Sequence, residues 1–273
     1  MSEVPLNRGR DARATRRWRL AHARKTEMRP AESALRRRAV LPIYGGIVNF
    51  WWKTCSNMLG FLLSSAMPAW PDIALMIGAY LIGGLSPGYW LVRLRVGIDV
   101  RTTGSGGTGA TNVGRVLGRK GYAMVLVVDL LKGALVGAAV HALGTPTVWA
   151  FAAAFLVVAG HVWPVWLRFR GGKGVGPFIG VWLILAPLAL LPSLALGLAL
   201  FAWLRRFSLA GLCSLIVLPV AAWWATEAKS AVAAACATIS LLLWSHRVNI
   251  RNFVADRLQG PAAPPSGAPT KPQ

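Results

Sequence analysis

Glycine, lysine and histidine fall together in this chain in patterns that suit phosphate chemistry. The first segment is Gly104-Ser-Gly-Gly-Thr-Gly-Ala-Thr-Asn112, followed by Arg115, Arg119 and Lys120. Glycines let successive backbone N–H groups turn toward one point and form an anion nest. Ser105, Thr108, Thr111 and Asn112 add side-chain donors. No Gly-Lys-Ser/Thr follows as in a Walker A loop, and no strand precedes it as in a dinucleotide fold. The second segment is Gly160-His-Val-Trp-Pro164, leading into Arg168-Phe-Arg-Gly-Gly-Lys-Gly174. It sets the Lys173 ammonium between glycines in a second nest. Taken alone, Lys173 also reads as a basic anchor at a membrane face, and His161 as a satisfied core histidine. Asp129 and Lys132 share a helix face at i, i+3 and can pair. That pair reads equally as a structural clamp between helices. Ser208, after Arg205-Arg206-Phe207, and the run Trp244-Ser-His-Arg-Val-Asn-Ile250 read singly as helix ends.

The elements that must position these residues are membrane helices. The 273 residues are 55% hydrophobic and only 14% charged, with 30 Lys+Arg against 9 Asp+Glu. Wholesale disorder, collagen and a small disulfide scaffold are excluded. Uncharged runs cover 73–92, 148–167, 178–204, 208–226 and 230–246. A bilayer core of roughly 30 Å needs about 20 helical residues. The three cysteines, Cys55, Cys213 and Cys236, lack metal-site spacing.

The expected fold is an all-α polytopic membrane protein of about seven transmembrane helices, two of them short and forming a hairpin. The spans are placed at 73–92, 121–143, 148–167, 178–190, 192–204, 209–226 and 230–245. Pro187 and Pro192 divide the long run, because proline breaks helices. Loops 93–120, 168–177, 205–208 and 246–273 hold 15 of the 17 Lys+Arg that follow residue 66. The positive-inside rule puts them, with the C-terminus, in the cytoplasm. Residues 1–66 read as a basic N-terminal extension. Its first 40 residues carry 12 Lys+Arg against 4 Asp+Glu and read as disordered. The tail should then be cytoplasmic, yet the span at 73–92 must enter from outside. An extra apolar span within 43–66, or a start near Met67, would reconcile the two. Residues 67–258 form the membrane-embedded domain, and 259–273, rich in Pro, Ala and Gly, a flexible tail.

These segments together resemble the bacterial acyl-phosphate:glycerol-3-phosphate acyltransferase family, the PlsY family. That family reads approximately Gly-Ser-Gly-Asn-x-Gly-Ala-Thr-Asn with an Arg three residues on. It continues with Asp-x-x-Lys-Gly, Gly-His-x-x-Pro, Phe-x-Gly-Gly-Lys-Gly-Val and His-x-x-Asn-Ile. Here the matches are Gly104–Asn112 with Arg115, Asp129–Gly133, Gly160–Pro164, Phe169–Val175 and His246–Ile250. They span about 72–257 in the family's order. Gly107 replaces an Asn, Gly176-Pro177 replaces Ala-Thr, Asn252 stands where Arg is usual, and the closing Gly-x-Glu is missing.

The resemblance implies a multi-pass enzyme of the bacterial plasma membrane. It would move a fatty acyl group from acyl phosphate to the sn-1 hydroxyl of glycerol 3-phosphate, giving lysophosphatidic acid and phosphate, the first step of phospholipid synthesis. The residues implied nearest the chemistry are His246, Lys173 and Arg115. Substrate contacts are implied for Ser105, Gly106, Gly109, Thr111, Asn112, Arg115, His161, Gly171, Gly172, Lys173, Gly174, Ser208 and Asn249. Two phosphate-bearing substrates repel unless positive groups and N–H donors surround them, and the two nests supply both. No cofactor and no metal are expected, since only five acidic residues follow position 66. Membrane lipid is the expected surrounding, and no specific nucleic-acid partner is expected. The rival readings are an anion transporter or channel, which also uses broken helices and buried charges, and an inactive lipid-binding paralogue.

Overall fold

The computed structural model describes residues 67–258 and, before them, only Asn49, Lys53 and Ser56. The basic tail 1–40, the apolar segment 43–66 and the tail 259–273 therefore lie outside the described residues or nearly so. The described residues are all helical apart from turns and loops. α1 (Trp70–Gly84) and α2 (Pro87–Val96) form one broken crossing. α3 (Ala110–Ala142) is long and kinks at Gly118, whose φ of 72° is a left-handed conformation suited to glycine. α4 (Thr147–Val162) runs into a 3₁₀ turn, Val165–Leu167. Then come α5 (Val175–Leu185), α6 (Pro187–Leu204), α7 (Phe207–Ser214), α8 (Leu218–Thr226), α9 (Lys229–Ser245) and α10 (Arg247–Leu258).

Among the described residues, five helical segments are long and apolar enough to cross a bilayer: 70–96, 110–142, 147–167, 187–204 and 208–226. α5 and α9 are apolar but shorter. The seven expected segments are thus all present in order, while five, not seven, reach full spanning length.

The hairpin breaks earlier than the sequence suggests. The chain leaves helical geometry at Ala186 (φ −150°, ψ 68°), not between 190 and 192. A residue before proline is pushed out of the α region, so Pro187 ends α5 at Leu185. Pro187 itself sits in the first turn of α6, where no N–H is needed. Pro192 rides inside α6 without ending it. α6, at 18 residues, is therefore long and apolar enough to cross a bilayer rather than short. The reversal itself is present. α5 starts against Asp129 of α3 and ends where His141 meets the Ile184 carbonyl at 3.3 Å. Just beyond α6, the Arg206 guanidinium stacks on Phe253 of α10, 4.9 Å from the ring centre. The loops 168–174, 205–206 and 246–253 thus share one end of the bundle.

Backbones meet closely where glycines allow it. A Cβ on Gly133 would overlap the Pro177 carbonyl, and one on Gly180 the Leu130 carbonyl, so α3 and α5 touch main chain to main chain. Gly83 and Gly160 do the same for α1 and α4. Small residues at such crossings are how helices pack when lipid removes the hydrophobic drive between them. The core that results includes Val157, Val158, Val181, Trp182, Leu190, Leu218 and Leu241, all fully buried. Trp70, Trp203 and Trp224 are instead exposed at helix ends, as in an interfacial aromatic belt.

Candidate functional site

The first loop is wound around one side-chain amide. Asn112, buried at the start of α3, donates from Nδ2 to the carbonyls of Val100 (2.8 Å), Gly107 (2.8 Å) and Thr103 (3.1 Å). Its Oδ1 accepts from the Ser105 N–H at 3.0 Å and from Arg115 Nη1 at 3.3 Å. The sequence reading made Asn112 a substrate contact. Its polar atoms are engaged by its own loop, so it shapes the nest rather than lining it. Gly104 and Gly106 take positive φ values of 52° and 72°, which turns the chain tightly about this amide. Ser105 is half-buried, while Gly106, Thr111 and Arg115 are exposed at this end of the bundle. Gly109 is the residue before α3 and accepts from the N–H groups of Asn112 and Val113.

A brace that the sequence reading missed holds the approach to this loop. Arg101 grips Asp99 with contacts of 2.7–3.1 Å, donates to the Leu167 carbonyl at 2.8 Å and stacks on Tyr89. The Asp99–Arg101 bond holds the Asp99 carboxyl below its usual range, against a smaller opposing effect of burial. The Asp-x-Arg spacing was visible. Its remote partner, Leu167, carries no local signal.

The second loop follows α4. Gly171 and Gly172 donate their N–H groups back to Val162 and His161 at 3.1 and 3.0 Å. The Gly171 carbonyl accepts from the Thr108 N–H at 3.2 Å, which ties the two nests together. A Cβ on Gly172 would overlap His161 Nε2, so the His161 ring lies directly against this loop. Gly174 has φ 86° and leads into α5. Gly176 and Pro177, the departures noted above, pack on Asp129 and Gly133 of α3. Gly107, the other departure, has room for a side chain: the nearest atom to its added Cβ is the Gly171 carbonyl at 3.5 Å.

The third piece is the end of α9. The Ser245 hydroxyl donates to the Lys173 carbonyl at 3.0 Å or to Leu242 at 2.8 Å, which anchors the second loop to α9. Ser245 was missed, although it stands beside His246. The buried His246 ring sets Nδ1 2.9 Å from the Leu242 carbonyl. A carbonyl only accepts, so Nδ1 carries the proton and Nε2 is a bare acceptor.

The electrostatics couple Lys173 to Arg115 on one side and to His246 on the other. Burial, helped by the Arg115 charge, lowers the Lys173 ammonium to about 8. Burial also lowers His246 to about 4. The Leu242 carbonyl works against this shift and the Lys173 charge adds to it. The structure thus brings together Ser105, Arg115, His161, Gly171–Gly174 and His246. Ser208 is exposed on the first turn of α7, and Asn249 is half-buried on α10. Neither is drawn into the hydrogen bonds that join the loops. Among the described residues no three His, Cys, Asp or Glu side chains could hold a metal ion.

The chain that joins two glycine-rich loops at one end of an apolar helical bundle is similar to known proteins. Residues 73–256 match the family model described as glycerol-3-phosphate acyltransferase. A glycerol-3-phosphate acyltransferase of Desulfitobacterium hafniense is 41% identical over 185 residues, 67% of this chain and 91% of that protein. One from Myxococcus xanthus is 42% identical over 179 residues, 65% of this chain and 93% of its own. Among solved structures, PlsY (YgiH), an integral membrane glycerol 3-phosphate acyltransferase, superposes in its glycerol 3-phosphate form with a TM-score of 0.64. It is 34% identical and covers 68% of this chain and 93% of its own. Its lysophosphatidic acid form gives 0.61 at 33% identity. Fold and comparisons together define an integral membrane acyltransferase. More narrowly, this chain belongs to the glycerol-3-phosphate acyltransferase family.

Proposed function

We propose that this protein transfers a fatty acyl group from acyl phosphate to the sn-1 hydroxyl of glycerol 3-phosphate, at the cytoplasmic face of a bacterial plasma membrane. The observation that carries the reading is the joining of three loops at one end of the bundle, through Thr108 N–H to Gly171 and Ser245 Oγ to Lys173. Between them, Lys173 and the Arg115 charge beside it offer one positive site to phosphate oxygens. The acyl tail would lie among apolar helices beside it.

In the reaction the sn-1 oxygen attacks the acyl carbonyl carbon, and the bond from that carbon to the phosphate oxygen breaks. Phosphate departs with the bonding electrons, and the hydroxyl proton must be taken up. His246, held near 4, is a weaker base than a phosphate oxygen, whose second pKa is about 6. A phosphate oxygen therefore takes the proton, and His246 Nε2 orients the hydroxyl by accepting its hydrogen bond. Lys173 and Arg115 stabilise the charge that gathers on the leaving phosphate, and Ser105 adds a hydroxyl donor. Ser208, exposed on α7, and Asn249, half-buried on α10, are the further proposed contacts to phosphate. The mixed anhydride is already activated, so no covalent enzyme intermediate is required.

The test is an acyl-transfer assay on purified protein in lipid, with glycerol 3-phosphate as acceptor. Acyl phosphate, acyl-CoA and acyl carrier protein are offered as donors in parallel. Turnover with acyl phosphate alone is the expected result. Turnover with a thioester donor in preference would remove the donor assignment, and no turnover with any donor would favour a lipid-binding paralogue.

A further inference from the structure

Beneath the second loop lies a buried cluster that the mechanism above does not use. We propose that Lys132, with Asp129 as counter-charge, is a positioning residue that locks the His161 ring in one tautomer and aims its Nε2–H at the Gly171–Gly174 loop. The role in catalysis rests on the acyl-transfer reading of that loop; the tautomer does not.

The argument begins with protons. Lys132, Asp129 and His161 are all nearly inaccessible to solvent. The Lys132 Nζ lies 2.9 Å from the Gly83 carbonyl, 2.9 Å from the Leu85 carbonyl and 2.7 Å from His161 Nδ1. An ammonium has three N–H bonds and no lone pair. Three donors meet three acceptors here. Asp129 Oδ1 is 2.9 Å from Nζ but off the hydrogen-bond directions, so it supplies charge rather than a fourth acceptor. It also lies 3.4 Å from His161 Nδ1. If Lys132 donates to Nδ1, that nitrogen cannot carry a proton. The ring proton is then on Nε2.

Geometry gives that proton its direction. Nε2 is the atom that a Cβ on Gly172 would overlap, so the N–H points at the backbone of the glycine loop. The same Lys132 holds the carbonyls left open where α1 ends, at the break before α2. One ammonium thus fixes the α1–α2 break, the end of α4 and the second nest in one frame. Deleting it would free the ring to take the other tautomer, which turns a donor at the loop into an acceptor facing phosphate oxygens.

The test uses full-length protein in lipid nanodiscs, with histidine labelled in its ring nitrogens. Nitrogen–proton correlation spectra at neutral pH report which nitrogen is protonated, and the His161→Gln spectrum assigns the signal. The expected result is a protonated Nε2 and an unprotonated Nδ1. Asp129→Asn, which leaves Lys132 as donor, should keep that signature. Lys132→Met should lose it and lower kcat by about 3- to 10-fold, the net worth of one hydrogen bond. An imidazolium or an Nδ1–H tautomer in the unmodified protein overturns the inference, even if Lys132→Met fails to fold. An unchanged tautomer in folded Lys132→Met overturns it as well. Because the spectrum needs no turnover, its outcome is separable from that of the donor assay.

Discussion

Lys173 offers the sharpest test of the site, because its ammonium titrates within reach of an ordinary assay. Its pKa stands at about 8 rather than 10.5, first because it is partly buried and second because Arg115 is near. The charged form is therefore complete only well below pH 8 and is lost as pH rises through that value. If the ammonium holds a substrate phosphate, kcat/KM, which reports the free enzyme, should fall with an alkaline limb near 8. In the profile of kcat the limb should move to higher pH, since a bound phosphate stabilises the charged form. Lys173→Arg keeps a charge that does not titrate, so the limb should vanish, although activity is only partly retained because a planar fork fits a glycine nest poorly. Arg115→Gln removes the neighbouring charge and should move the limb upward. A charge-assisted hydrogen bond contributes about 1.5–3 kcal/mol, so Lys173→Ala should cost about 10- to 150-fold in kcat/KM. Exposed Lys120, on the same end of α3, is the control, and Lys120→Ala should leave the rate near that of the unmodified protein. Initial-rate assays from mildly acidic to alkaline pH suffice. A limb near 8 that persists in Lys173→Arg belongs to another group and refutes the reasoning.

His246→Gln, which keeps an acceptor, should retain more activity than His246→Ala; equal losses would mean that a base, not an orienting acceptor, is removed. Asn112→Ala frees the Val100, Thr103, Ser105 and Gly107 backbone groups together and should lower kcat/KM by about 100-fold, the scale of a small misplacement of reacting groups, with the helical content unchanged by circular dichroism. A Gly172→Ala protein must displace His161 or the loop and should lose about 1–3 kcal/mol of stability as well as activity, read by thermal unfolding beside turnover; unaltered unfolding would place Nε2 elsewhere. For orientation, in a chain cleared of Cys55, Cys213 and Cys236, a cysteine at Arg170 should be labelled only from the cytoplasm and one at Glu227 only from outside. The opposite pattern would invert the site.

Much of the site was legible because its residues are contiguous. Gly104–Asn112 and Gly171–Gly174 are runs whose composition suits an anion nest, and the structure joins them through the Thr108 N–H and the Gly171 carbonyl. Arg115, Lys173 and His246 were singled out by the family resemblance, while the charge asymmetry only put their loops on one side. What stayed hidden depends on contacts between distant residues. Arg101 finds its carbonyl 66 residues away, and the Trp166 indole reaches Gly84 across 82 residues. Neither leaves a periodic trace. The hairpin break was misplaced because two prolines competed. Position within the helix decided between them: Pro187 needs no partner in a first turn, whereas Pro192 is carried by packing that includes buried Ala189, Leu190 and Ser193. Asn112 illustrates a related point. An amide in a glycine-rich loop donates equally well to a ligand or to its own backbone, and only the folded loop shows that the backbone is within reach.

The cluster around Lys132 bears on why this bundle can hold a site at all. Inside a bilayer, association gains little from burying apolar surface, because lipid is as apolar as the side chains it replaces. Close backbone contact and satisfied polar groups must supply the order. At α3 both occur within one turn: Gly133 lies against the main chain of α5, and Lys132 reaches the open carbonyls of α1 and the ring on α4. Four helices are thereby referenced to one short stretch, Asp129–Gly133. The loops that run from α2 to α3 and from α4 to α5 inherit their spacing from it. A nest of N–H groups stabilises developing charge only if it is already in place when that charge appears. The stretch Asp-Leu-Leu-Lys-Gly thus has a reason to carry two charges inside a membrane: it sets the distances between the loops proposed to meet the phosphates.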